Sequence, residues 1–62
     1  MTIDEFRAQQ WRCGTKVRYR DSRHMSGAWG EVTGVDFSGT VSVRTGGGIA
    51  FVRYNNILEV AG

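Results

Sequence analysis

The stretch WGEVTGVDFSGTVSVRTGGGIAFVRY, residues 29–54, decides the fold of this chain. Val41 and Val43 alternate with polar residues, and Ala50, Val52 and Tyr54 form a second alternating set, the period of two that half-buried strands require. Strands are predicted over residues 29–37, 40–45 and 49–54. Ser38 and Gly39 supply a tight turn between the first two. Gly46, Gly47 and Gly48 supply the next reversal; no helix follows to aim its N-terminus at an anion, so the triple glycine reads as a hairpin turn and not as a phosphate-cradling loop. Val32 and Val35 are three apart, out of step with alternation, and a bulge near Thr33 and Gly34 would return both to the core side.

Outward from this stretch the same grammar continues. Lys16, Arg18 and Arg20 alternate with Val17 and Tyr19, which predicts a strand with one wet face from Thr15 onward. The polar segment DSRHMSGA, residues 21–28, reads as the loop that follows it. At the start of the chain Thr2 and Glu5 have capping-box spacing, and a helix is predicted over residues 3–10. Ile3, Phe6 and Trp11 would dock that helix, because so short a helix is marginal without tertiary packing. Asn55 and Asn56 favour a turn or a single helical turn, and residues 58–60 make a short last strand. The expected core is Val17, Tyr19, Val32, Val35, Val41, Val43, Val52, Ile57 and Val60.

Composition narrows what such a chain can do. Its 62 residues are 40% hydrophobic and 23% charged, which is a globular mixture in a length that supports one core. A single domain over residues 1–62 is expected, with a helical segment at 1–12 and the strands at 14–61. Cys13 is the only cysteine and His24 the only histidine, which excludes an intramolecular disulfide and a four-ligand Cys/His zinc site. No cofactor or metal is expected. No apolar run approaches the ~20 residues that span a bilayer, and no signal peptide is evident, so the expectation is a soluble cytoplasmic protein without a membrane partner. Small domains without such staples often gain stability by self-association, which makes a homo-oligomer plausible.

The net charge of +2 is mild, but its placement is uneven. Arg12, Lys16, Arg18, Arg20 and Arg23 crowd one stretch while the acids scatter. With Val17 and Tyr19 turned inward, Lys16, Arg18 and Arg20 would line one strand face and track phosphates, with Arg23 beside them and Arg44 and Arg53 extending the patch if their strands adjoin. The competing account is that these cations only solvate a strand and guard an edge. Trp11 and Trp29 flank the basic strand and are expected in the core or against the helix; the alternative is an exposed platform on which bases stack. Phe51 is expected to be the most exposed aromatic, open to a protein partner. His24 with Asp21 and Ser22 reads as a solvated loop and not a catalytic triad, and Cys13 as a small, buried or half-buried hydrophobe.

The segments GTKVRYRD (14–21), GEVTGVD (30–36), TVSVR (40–44) and FVRYNNILEV (51–60), in that order, resemble an SH3-like barrel of the KOW and Tudor type. The resemblance implies an all-β fold, a small five-stranded barrel with a short N-terminal helix, and a one-turn 3₁₀ helix at residues 55–57. It also implies a binding module: the loop DSRHMSGA lacks the acidic, tyrosine-rich character of peptide-binding SH3 domains, while Trp11, Tyr19, Trp29, Phe37, Phe51 and Tyr54 are the aromatics from which a Tudor-type cage would be drawn. Residues 14–18 and 27–34 more weakly resemble type II dihydrofolate reductase, whose pore strand reads Val-Gln-Ile-Tyr. Here that strand is Phe51, Val52, Arg53, Tyr54, with the tyrosine present and the glutamine absent. The expectation is therefore a non-enzymatic binding module of the kind found among small uncharacterised bacterial or phage proteins. Its partner would be nucleic acid through Lys16, Arg18, Arg20, Arg23 and Arg53, or alternatively a protein, including a second copy, through an exposed barrel edge or the Phe51 face.

Overall fold

The computed structural model describes residues 1–61. At its start the capping box forms in full: the Glu5 amide donates to Thr2 Oγ1 at 3.1 Å and the Thr2 amide to Glu5 Oε1 at 2.8 Å. Helix α1 spans Ile3–Ala8 and stops there because Gln9 is already extended, at φ −71° and ψ 134°. It is thus shorter than the predicted 3–10, and Gln10 lies outside it. Phe6, expected only to dock the helix, is fully buried and one of the largest side chains of the core. Trp11 closes over it, with ring centroids 5.6 Å apart and the indole N–H donating to the Phe6 carbonyl at 3.0 Å.

Five strands follow in one antiparallel sheet: β1 Lys16–Tyr19, β2 Ala28–Asp36, β3 Thr40–Thr45, β4 Gly48–Arg53 and β5 Ile57–Ala61, in the spatial order β4-β3-β2-β1-β5. The long strand β2 serves two partners. Its first half pairs with β1, from Tyr19↔Ala28 to Lys16↔Glu31, and its second half with β3, from Glu31↔Arg44 to Asp36↔Thr40. Between Val32↔Val43 and Gly34↔Ser42 the register slips, leaving Thr33 as the extra residue of the expected bulge. The strand bends so closely onto β3 at Gly30 that a Cβ there would collide with Val43 Cγ1 and crowd the Arg44 carbonyl. Only glycine fits.

Strand β4 begins one residue earlier than predicted and ends at Arg53, because Tyr54 leaves the ladder to open a 3₁₀ turn, η1, over Tyr54–Asn56. That turn therefore starts one residue ahead of the expected 55–57. The Tyr54 amide donates to the Gly39 carbonyl at 2.8 Å, and β5 is longer than the predicted 58–60.

The fold is all-β with one short N-terminal helix, as the alternating pattern requires. One hydrophobic cluster joins α1 to every strand: Phe6, Val17, Tyr19, Val32, Val41, Val43, Val52 and Ile57 are buried. Val35 and Val60, expected among them, are half-buried and pack against the cluster from its margins. Among the described residues no helix is long and apolar enough to cross a membrane.

Candidate functional site

With Val17 and Tyr19 buried, the alternation of β1 turns Lys16 and Arg18 onto the outer face of the sheet. The register sets two rows across that face. In one, Lys16 stands beside Glu31, which stands beside Arg44, which stands beside Ile49 of β4. In the other, Arg18 lies between Glu59 and Trp29. Arg44 reaches Glu31 Oε2 at 3.2 Å, and Arg18 reaches Glu59 Oε1 at 3.3 Å while also donating to the Ser26 carbonyl at 3.1 Å. Arg18 is thereby half-buried, with its stem lying on Gly27, whose φ of +108° suits glycine. Among the described residues Lys16, Arg20 and Arg23 have no carboxylate at ion-pair distance.

Trp29 corrects the expectation that it is a core residue: it is 49% exposed. Val32 points inward before the bulge, so Gly30 and Ala28 share its side of β2 and Trp29 must face out with Glu31. Strand parity thus holds Trp29 outside against the pull of its large apolar side chain toward the core. On one side of Trp29 is a depression that Lys16, Glu31, Arg44 and Gly46 help to line. On the other a cleft of about 460 Å³ opens between the β1–β2 loop and the β3–β4 turn, with Tyr19 and Ala50 among its walls and Arg23, His24 and Trp29 also lining it. The indole therefore borders two hollows in which cations stand with one carboxylate each, Glu31 in the first and Asp21 in the second.

The loop that carries Arg23 is folded about Asp21. The Asp21 Oδ1 accepts the amides of Arg23 at 2.9 Å and His24 at 2.7 Å, and lies 3.1 Å from His24 Nδ1. Partial desolvation pushes the Asp21 carboxyl up, but these two amides and the imidazole outweigh it and hold its pKa below the ordinary value. The Arg20 amide donates to the Asn56 carbonyl at 2.9 Å and ties the loop to η1. The contact between His24 and Asp21 thus shapes a turn, and Ser22 makes no bond to either.

Two predicted members lie elsewhere. Arg53 occupies the far row, Asp36–Thr40–Arg53, four residues along β3 from Arg44 and so about 13 Å away. There it donates to Thr40 Oγ1 at 3.2 Å and sits 5.6 Å from the Tyr54 ring centroid. Phe51 is 75% exposed on β4, in the row with Ser42, and is not part of the cluster around Trp29; it is not the most exposed aromatic as expected, because Phe37, just beyond the end of β2, is 78% exposed. Neither β3 nor β4 neighbours β1: Arg44 shares the row of Lys16 only across Glu31 of β2, and Arg53 lies in another row. Cys13 is exposed and not buried or half-buried as expected, its thiol directed at the Thr33 carbonyl at 3.6 Å. The aromatics do not gather as one set: Tyr19 is buried, Trp11 and Phe37 line a separate apolar cleft with Val35, and Trp29 stands apart. No group of three His, Cys, Asp or Glu that would hold a metal ion occurs among the described residues. No protein-family model, curated protein or solved structure matches the chain.

Proposed function

We propose that this chain is a cytoplasmic, non-enzymatic binding module that takes single-stranded nucleic acid across the outer face of β1 and β2. The observation that carries the reading is the exposed Trp29, which borders two hollows, one holding Lys16 and Arg44 with Glu31 and the other holding Arg23 with Asp21. An aromatic face accepts any unpaired base, and cations spaced along the same surface follow the phosphates, so affinity comes from stacking plus counterion release and not from base-edge readout. Lys16, Arg20 and Arg23 are the phosphate contacts, because among the described residues none of the three has a carboxylate at ion-pair distance. Arg18 and Arg44 position the surface through Glu59 and Glu31. The strand order, with a 3₁₀ turn ahead of the last strand, supports the resemblance to SH3-like barrels of the KOW and Tudor type.

Titration of a fluorescent single-stranded homopolymer at low salt tests the proposal. Binding is expected to weaken steadily with added salt, and Trp29→Ala to weaken it about tenfold, the loss of one stacked base. Absence of binding at low salt, or a Trp29→Ala protein that binds as well as the parent, would overturn it. A protein-binding reading is favoured by a separate observation, the exposed Ile49 and Phe51 on an edge strand.

A further inference from the structure

Strand β4 is one edge of the sheet, and its six pairs with β3 run without a bulge from Thr40↔Arg53 to Thr45↔Gly48. The last pair closes a two-residue turn and so is a hydrogen-bonded one, and bonding alternates along an antiparallel ladder. Gly48, Ala50 and Val52 therefore spend their backbone groups on β3, a parity that the Tyr54 amide continues by bonding Gly39. Ile49, Phe51 and Arg53 turn theirs to the open side. Their side chains share the outer face, where Ile49 is 53% and Phe51 75% exposed. Apart from Arg53 at its end, the strand carries none of the usual guards of an edge: no proline, no lysine, no bulge.

We infer that β4 pairs with β4 of a second copy, antiparallel across a two-fold axis at Phe51. That register is self-complementary. It sets Phe51 opposite Phe51 and Ile49 opposite Arg53 in both directions, so all three outward-facing residues of each strand find backbone partners. It also suits the charges, since Arg53 is the only charged residue of β4 and the axis sends the two copies of it to opposite ends, each beside an isoleucine. The aromatic pair at the centre is the contact that cross-strand packing rewards. The two copies of Ile49 and Phe51 together would cover roughly 500 Å² of apolar surface, below the ~1,200 Å² of a standard interface, so the dimer is weak and concentration-dependent.

Sedimentation equilibrium from about 10 µM to about 1 mM tests this range of affinity. The apparent mass is expected to climb toward that of a dimer. Phe51→Lys sets two ammonium groups face to face on the axis and is expected to raise the dissociation constant by about tenfold or more, whereas Leu58→Lys, on the opposite edge strand β5, is expected to leave it unchanged. In a mixture of isotope-labelled and unlabelled protein, intermolecular NOEs should link Ile49 of one copy with Arg53 of the other; this reports the register without any substitution. A chain that stays monomeric at the highest concentration overturns the inference. So does a dimer indifferent to Phe51→Lys or abolished by Leu58→Lys, or NOEs that place another surface at the axis.

Discussion

The two tryptophans occupy opposite kinds of place. Trp11 is half-buried, packed on Phe6 and fixed by its indole N–H to the Phe6 carbonyl. Trp29, on the outer face of β2, is 49% exposed among charged neighbours. The same side chain thus acts as a latch at one site and as an open surface at the other. What separates them is not residue type but the path of the backbone: the short helix returns its aromatic pair to the core, while strand parity forces Trp29 outward. Burial at one site supplies stability, and exposure at the other leaves an aromatic face open to solvent, where the proposal places the ligand.

The largest test of this contrast is at the floor of the latch. Phe6→Ala empties a fully buried site and is expected to cost about 3–5 kcal/mol, read from the urea midpoint, with Trp11 fluorescence shifting as its support disappears. Next comes Gly30, the residue beside Trp29. Gly30→Ala is expected to cost about 1–3 kcal/mol through overpacking against Val43, in a calorimetric or denaturant measurement, although the residue it adds is small. A matched pair of substitutions then sets the two tryptophans against each other. Trp11→Phe is expected to lose about 1–2 kcal/mol with the indole hydrogen bond and part of its packing, and Trp29→Phe to stay within about 0.5 kcal/mol. Equal losses in the two variants would dissolve the distinction.

The smallest effect is on pH. The Asp21 carboxyl is held low against partial desolvation by the amides of Arg23 and His24, and that of Asp36 by the Ser38 amide and hydroxyl. A depressed folded pKa contributes stability that is complete above the unfolded value of about 4 and is lost as pH falls through the folded value. Corrected for the intrinsic slowing of exchange in acid, the protection of amides in the residues 21–27 loop is therefore expected to fall below about pH 4, ahead of that of Phe6 and its neighbours in the latch. A loop that stayed as protected as the latch would contradict this order.

Much of the sheet was readable because period-two alternation is local: Val17 with Tyr19 and Val41 with Val43 announce their own inward faces. The bulge was readable too, since only an extra residue reconciles Val32 with Val35. Other features were not local. Phe6 is central because a two-turn helix folds back over the sheet, and nothing in the spacing of Ile3, Phe6 and Gln10 fixes how deep it goes. The candidate site was half legible: Lys16 and Arg18 face outward as the pattern requires, but the pairing of Arg18 with Glu59 joins residues far apart in the chain. The placement of Arg53 away from the patch likewise follows from register and not from composition.

The unpaired residue at Thr33 divides β2 into two phases. Ahead of it the odd-numbered positions look outward, Trp29 and Glu31 among them; beyond it the even-numbered ones do, Gly34 and Asp36 among them. A frame of this kind is indifferent to most substitutions but acutely sensitive to length. Losing a single codon at this point would force one half of the strand to turn over, carrying either Trp29 and Glu31 into the core or the valine beyond the bulge out of it. Descendants of this chain are thus free to vary the chemistry of the outer face, while the number of residues between Gly30 and Val35 stays fixed.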